Sequence, residues 1–171
     1  MPGGAALEIG CGRGVGVELI LDVFGAERVD AFDLDPRMIG QAQWHLRGRR
    51  PRVRLWTGDV TRIPVPAATY EAVFDFGIVH HVPDWRGAIA EVARVLRPGG
   101  RFYAEEVLRA VIVHPLVRRL LKHPQADRFD QAEFSALRAA GLRPVASEGF
   151  ARAFAWIIAD REAAAITRPS R

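Results

Sequence analysis

The stretch LEIGCGRGVGVEL, residues 7–19, is the most informative part of this chain for its fold. Directly after a short apolar run, glycine occupies four alternate positions: Gly10, Gly12, Gly14 and Gly16. A glycine inside regular structure costs about 0.5–1 kcal/mol relative to alanine, so four of them in seven residues require a reason. The usual reason is that another group must approach the backbone closely. The stretch therefore predicts a buried strand, a glycine turn that can hold a ligand, and then a helix.

Strand and helix patterns alternate along the first two thirds of the chain. Short apolar segments predict five strands, at residues 5–9, 29–34, 53–56, 72–79 and 101–107. Apolar residues at helical spacing predict helices between them, along residues 17–24, 36–46 and 89–96. This alternation predicts a parallel sheet with helices on both faces, which is a doubly wound, Rossmann-like α/β fold.

The alternation ends after residue 107. Residues 109–128 contain a short amphipathic segment, which is either a lid insertion over the active site or a covering helix. Asp130 and Glu133 resemble a capping box at the start of a helix. Residues 144–148 and 151–158 predict two closely joined strands, an antiparallel C-terminal hairpin on the otherwise parallel sheet.

The composition is typical of one soluble globular domain that spans residues 1–171, with 49% hydrophobic and 26% charged residues. The longest apolar run, residues 153–159, is too short to span a membrane, and no secretion signal precedes the first motif. The single cysteine, Cys11, excludes an internal disulfide and fits a reducing compartment. The sequence therefore predicts a cytoplasmic protein.

Five arginines crowd one segment without an acid among them: Arg47, Arg49, Arg50, Arg52 and Arg54. Such a cluster can bind nucleic acid or form an ordinary solvated surface. The segment leads into the third strand, at the end of the sheet opposite the glycine turn. We therefore expect a solvated surface, with nucleic acid an unlikely partner.

The spacing of the glycines does not match the dinucleotide fingerprint G-x-G-x-x-G, because Val15 and Val17 stand where its third glycine belongs. Asp33, at the end of the second strand, can accept hydrogen bonds from both hydroxyls of a ribose. Asp59, just after the third strand, can accept from the amine of an adenine. No lysine or P-loop serine is placed to bind phosphates. These residues predict an adenosine ligand that carries something other than phosphate.

Five motifs follow one another along residues 5–107: LEIGCGRG, AFDLDPRMI, GDVTRIPVP, YEAVFDFGIVHHVPDW and LRPGGRFY. In this order they resemble class I S-adenosylmethionine-dependent methyltransferases, most nearly the branch of ubiquinone/menaquinone-type and other small-molecule enzymes. The last helix and hairpin look like that fold's final helix and its antiparallel sixth and seventh strands. The resemblance is specific for fold and cofactor, and it does not identify the acceptor molecule or atom.

The resemblance implies S-adenosylmethionine as the cofactor and assigns its methionine part to the glycine turn. Glu8, Gly10 and Gly12 would shape this turn, with Cys11 as a small residue between two glycines. The backbone around Phe76 would bind the methionine ammonium group. A sulfonium cofactor carries positive charge where a dinucleotide carries negative charge, so a site rich in carboxylates suits it.

The resemblance also assigns the nucleoside part of the cofactor. Asp33 would bind the ribose hydroxyls, and Leu34 would lie beside the adenine. Asp59 would accept from the adenine amine, while the N–H group of Val60 would reach a ring nitrogen. No residues predict a metal site.

His80 and His81 follow the fourth strand, at the edge of the sheet where ligands bind. One of them could act as a general base, because imidazole titrates near neutral pH. Alternatively, one packs beneath the loop and the other hydrogen-bonds to backbone, and positioning alone supplies much of the rate. Asp75 occupies the place where amino-group methyltransferases often have an Asp/Asn-Pro-Pro-Tyr motif. The prolines are missing here, which argues against a nucleobase or glutamine substrate.

The sequence thus predicts methyl transfer to a small-molecule acceptor by in-line displacement. The alternative is a methyltransferase-like binding module that acts through a partner. Relatives usually carry an N-terminal helix that covers the cofactor, and this chain begins about four residues before its first strand. This cap helix is therefore expected to be missing: either the chain is truncated at its start, or a partner, self-association or residues 109–128 cover the site.

Overall fold

The computed structural model describes residues 4–107, 133–150 and 154–163. Their strands are β1 (Ala5–Ile9), β2 (Arg28–Asp33), β3 (Val53–Thr57), β4 (Tyr70–Phe76), β5 (Leu96–Val107), β6 (Leu142–Phe150) and β7 (Phe154–Arg161). Their α-helices are α1 (Val15–Asp22), α2 (Pro36–His45), α3 (Trp85–Val95) and α4 (Glu133–Ala139). Two short 3₁₀ turns cover Arg47–Arg52 and Val79–His81.

The strands form one seven-stranded sheet in the order β3-β2-β1-β4-β5-β7-β6. Strands β1 to β5 pair in parallel, and β7 runs antiparallel to both of its neighbours. The predicted doubly wound, mostly parallel fold with an antiparallel C-terminal hairpin is therefore confirmed.

The sheet is covered on both faces, because its central strands are apolar almost throughout. One face packs against α1 and α2, whose buried stripes include Val17, Ile20 and Ile39. The other face packs against α3 and α4, through residues such as Val92 and Leu137. Two separate cores thus fix the strands firmly and leave only the loops at their ends free to form a site.

The parallel register brings the carboxyl ends of four strands to one edge of the sheet. Ile9 of β1 pairs with Phe32 of β2 on one side and with Asp75 of β4 on the other. Asp33, the last residue of β2, pairs with Thr57 of β3. The loops that follow these strands therefore meet at this edge, which we call the ligand edge.

Some predicted boundaries are wrong. The fourth strand ends at Phe76 rather than at residue 79, because Gly77 has φ +85° and turns the chain into a 3₁₀ turn. The fifth strand begins at Leu96, five residues early, with a register shift on β4 between Tyr70 and Ala72.

The hairpin strands also differ from the prediction, since β6 is longer at both ends and β7 begins at Phe154 rather than at residue 151. The proposed lid at 109–128 and the cap residue Asp130 lie outside the described residues. In the described part of the chain, no helix is long and apolar enough to cross a membrane.

Candidate functional site

The glycine turn joins β1 to α1 at the ligand edge. Gly10 has φ +66°, and a Cβ atom there would overlap the side chain of Ile78, so this position has no room for a side chain. Gly12 has φ +51°, but no atom lies within 4 Å of the place where its Cβ would stand. The backbone at Gly12 therefore faces open space, and a ligand can approach it closely.

Asp33 connects the glycine turn to the end of β2. Its Oδ2 accepts a hydrogen bond from the Gly12 N–H at 2.8 Å, and its Oδ1 accepts one from the Asp35 N–H at 2.9 Å. These two bonds fix the orientation of a half-buried carboxylate. Because a carboxylate has about four acceptor positions, Asp33 can still accept two hydroxyl groups. Asp35 accepts from the Arg37 N–H at 2.8 Å and caps α2.

Glu8 is a buried acid in β1, with only 2% of the residue exposed. Its Oε2 atom is buried and has no hydrogen-bond partner in the described part of the chain. Burial, followed by the negative charges of Asp75 and Asp33, raises the pKa of Glu8 to about 8. An uncompensated buried carboxylate is costly, so this position favours either a proton or a nearby positive charge.

Asp75 is a further acid at this edge, to which the sequence analysis assigned no role in binding the cofactor. It is fully buried near the end of β4, where its Oδ1 accepts from the Ile78 N–H at 2.9 Å. The signal was present, since Asp75 is an acid inside an otherwise apolar strand end. With Glu8 and Asp33 it places three acidic side chains on three adjacent strands, an arrangement that favours a positively charged ligand at this edge.

Asp59 and Val60 lie beyond β3 on the same edge. Asp59 is exposed, and its Oδ1 accepts from both the N–H and the hydroxyl of Thr61 at 2.8 Å. Both bonds use Oδ1, so Oδ2 can accept from an amino group of a ligand. Val60 is buried beside it, and Leu34 on the neighbouring loop is 72% exposed. An apolar surface and an acceptor thus stand together at the rim of the site.

His80 and His81 lie in the 3₁₀ turn after β4, with ring centroids 4.0 Å apart. His80 is buried, and burial lowers its pKa, although the charge of Asp75 partly opposes this shift. Burial therefore favours the neutral form of His80. His81 is exposed at the same edge.

Cys11 packs inward from the glycine turn and is 5% exposed. Burial, with the charges of Glu8 and Asp33, raises the pKa of this thiol to about 12. The thiol therefore stays protonated at neutral pH, which favours a packing role over a reactive one.

Several predicted site residues thus meet at the ligand edge, on loops that follow β1, β2, β3 and β4. Phe76 closes β4 there, half-buried, and its side chain reaches the neighbourhood of Gly16 and Glu8. Among the residues with described positions, no three His, Cys, Asp or Glu side chains are arranged to hold a metal ion. The arginine segment lies at the opposite edge, where β3 begins.

Comparison with known proteins gives similarities to methyltransferases. Over 96 residues the chain is 41% identical to a probable S-adenosylmethionine-dependent methyltransferase of Mycolicibacterium smegmatis. This alignment covers 56% of this chain and 35% of that protein. The chain is 32% identical over 118 residues to the ubiquinone/menaquinone biosynthesis C-methyltransferase of Caulobacter vibrioides, in an alignment that covers 68% of this chain and 37% of that protein. The matches thus span about a third of the length of these curated relatives.

A solved structure shares the fold. A putative methyltransferase from Haloferax volcanii, in complex with a methyltransferase activator, has a TM-score of 0.83 at 18% identity, covering 95% of this chain and 84% of that one. A family profile described as a methyltransferase domain matches residues 6–100, more than half of the chain. The chain therefore belongs to the methyltransferase domain family.

Proposed function

We propose that this chain transfers a methyl group from S-adenosylmethionine to a small-molecule acceptor. Membership of the methyltransferase domain family supports the reaction class, and the similarity to S-adenosylmethionine-dependent methyltransferases supports the cofactor. When bound, S-adenosylmethionine supplies a methyl group on a positively charged sulfur, which a nucleophile takes by in-line displacement.

The buried carboxylate of Glu8 is the observation that carries this proposal. Its Oε2 has no hydrogen-bond partner in the described chain, and it lies near Asp33 and Asp75 at the edge where Gly12 faces open space. Such a site disfavours phosphate and favours a ligand with positive charges, which the sulfonium and ammonium groups of this cofactor provide.

We assign the remaining cofactor contacts to residues at or beyond the strand ends. Asp33, already oriented by two backbone N–H groups, accepts the ribose hydroxyls. Asp59 accepts the adenine amine through Oδ2, with the Val60 N–H opposite a ring nitrogen and Leu34 against the ring. The backbone of Phe76 accepts the ammonium group. These residues bind and orient the cofactor; none of them takes part in proton transfer.

His81 is the candidate general base. It is exposed at the ligand edge, so it can reach an acceptor, whereas the buried His80 packs beneath it. The base would remove a proton from an oxygen or nitrogen nucleophile, a contribution of about 10²–10⁴-fold in rate.

For the acceptor we favour a small molecule, of the kind that the name of the Caulobacter relative indicates. A similar fold occurs in a complex with a methyltransferase activator, and this observation favours the second candidate, a binding module that acts through a partner. The single cysteine, kept as a free thiol, fits the reducing conditions of the cytoplasm, where we place the reaction.

An assay for S-adenosylhomocysteine formation tests the proposal. The chain is incubated with S-adenosylmethionine and a panel of hydroxyl, amine, carboxylate and quinol acceptors, with Asp33→Ala as the control. We expect formation of the product with at least one acceptor class, and its reduction in Asp33→Ala at low cofactor concentration. Tight binding of the cofactor with no turnover on any acceptor would instead support the binding module that acts through a partner.

A further inference from the structure

A cavity of about 490 Å³ lies at the opposite edge of the sheet from the carboxylates. It opens at the amino-terminal ends of β2 and β3, and the loop between β3 and β4 forms its other wall. Four arginines line it: Arg28, Arg50, Arg52 and Arg54. Three prolines contribute rigid walls: Pro51, Pro64 and Pro66. Its volume lies within the usual range of about 300–1,000 Å³ for small-molecule pockets.

Two of the arginines are fixed in place by the protein itself. Arg52 donates from Nε to the Glu27 carbonyl at 2.9 Å and from Nη2 to the Ala26 carbonyl at 2.7 Å. Arg54 donates from Nη2 to Asp30 at 2.8 Å. A guanidinium group has five N–H donors, so both side chains keep donors for another acceptor while their positions are already set.

The side chains of the other two arginines, Arg28 and Arg50, are exposed and make no hydrogen bond or ion pair with the residues that the structure describes. Asp30 is the acid that lines the cavity, and it is 8% exposed. Arg54 and the Tyr70 hydroxyl, each at 2.8 Å, already bind its Oδ2. Four positive groups and one buried negative group thus line the cavity, and the excess of positive charge favours an anion there.

Two arginines beside the cavity already have acidic partners. Arg49, which lies beside it in sequence, forms a two-point ion pair with Asp22. Arg94, near its far wall, is paired with Glu91 and bound to the Val65 carbonyl. Nucleic acid would need a longer basic surface with unpaired arginines along it. A bounded, walled cavity suits a small anion instead.

We propose that this cavity binds a small phosphorylated molecule with two or more negative charges. Guanidinium groups fit phosphate oxygens through paired, charge-assisted hydrogen bonds. Arg52 and Arg54 provide donors that are already held in place. The exposed side chains of Arg28 and Arg50 provide further charged donors to the ligand. The site lies at the far edge of the sheet from the glycine turn, so it is a second site and does not depend on the proposed methyl transfer.

Calorimetric titration with inorganic pyrophosphate tests this proposal, on the wild type and on Arg28→Ala, Arg50→Ala and the double variant. Each single change removes one charged donor, so we expect about a tenfold or greater loss of affinity for each, and no measurable binding by the double variant. Arg47→Ala is the matched control. Arg47 belongs to the same basic segment, but it stacks on Trp44 outside the cavity, and its loss should leave affinity unchanged.

Two further titrations distinguish the arginine cavity from the ligand edge and from a nucleic-acid surface. Saturating S-adenosylhomocysteine should leave pyrophosphate affinity unchanged, whereas competition between the two would overturn the proposal. A single-stranded oligonucleotide should bind more weakly than pyrophosphate. Equal losses of affinity in Arg47→Ala and Arg50→Ala, or stronger binding of the oligonucleotide, would indicate an extended nucleic-acid surface and contradict a small-anion site. Thermal melts of each variant confirm that it is folded.

Discussion

Replacement of Glu8 by glutamine gives the clearest test of the buried carboxylate. Glutamine keeps the shape of the side chain and removes its charge. In the folded chain the pKa of Glu8 is raised to about 8 from its ordinary value of 4.5. Folding therefore favours the protonated form, and the unfolded chain loses its proton first as the pH rises. Between these two values the unfolded state binds fewer protons, so the free energy of unfolding falls as pH increases.

The size of the effect follows from the shift in pKa. One unit corresponds to 1.36 kcal/mol. Over the interval from pH 5.5 to pH 8, the wild type should lose about 3 kcal/mol of stability relative to Glu8→Gln, most of it before the folded group itself begins to ionise. Glu8→Gln should therefore be the more stable protein at pH 8, by a margin that shrinks as the pH is lowered.

Urea unfolding of both proteins at several pH values between 5.5 and 8 measures this difference. Glu148→Gln serves as the matched control, because Glu148 is exposed on β6 and solvent screens its charge. That control should follow the wild type at every pH. A constant difference between the wild type and Glu8→Gln, or a wild type that gains relative stability as the pH rises, would show that folding does not raise the pKa of Glu8.

Three further predictions concern the ligand edge. Asp33→Ala should weaken S-adenosylhomocysteine binding about 10- to 100-fold in calorimetry. Asp35→Ala should instead lower the free energy of unfolding by about 0.5–2 kcal/mol and leave the affinity unchanged. The reverse pattern would place the ribose elsewhere. His81→Gln should lower turnover about 100-fold with unchanged cofactor affinity and melting temperature, whereas His80→Gln should lower stability and rate together. Finally, a cationic ligand favours the ionised form of Glu8, so the affinity for S-adenosylmethionine should increase as the pH rises from 6 to 8. Binding should also release a proton, which calorimetry detects as a binding heat that depends on the buffer. An affinity that falls as the pH rises would contradict this prediction.

The strand pattern of the parallel sheet could be predicted because each central strand is a short apolar run between turn residues. The prediction for β1 agrees with the structure residue for residue. The end of β4 could not be predicted in the same way, since Ile78 and Val79 continue the apolar run beyond the true end. Only the positive φ of Gly77 stops the strand, and apolar periodicity carries no information about it.

Part of the candidate site could be predicted from the sequence. Glu8 lies two residues before Gly10 and Asp33 is the last residue of β2, so their approximate positions follow from the fold. Two properties of Glu8 depend on packing between strands that are far apart in sequence. Its Oε2 atom lacks a hydrogen bond to the described residues, and Asp75 lies close enough to raise the pKa of Glu8. The arginine segment is a similar case, because Arg49 pairs with Asp22 and Arg52 binds the Ala26 and Glu27 carbonyls, all more than twenty residues away.

Direct calorimetric titration of the chain with S-adenosylmethionine, and with NAD for comparison, distinguishes a site for a cationic cofactor from a dinucleotide site. The carboxylates of the ligand edge should favour the cationic cofactor, with micromolar affinity, on the order of −8 kcal/mol. NAD brings two phosphates towards Glu8, Asp33 and Asp75, and should bind much more weakly. Equal or tighter binding of NAD, or no binding of S-adenosylmethionine, would contradict the assignment of S-adenosylmethionine to this edge.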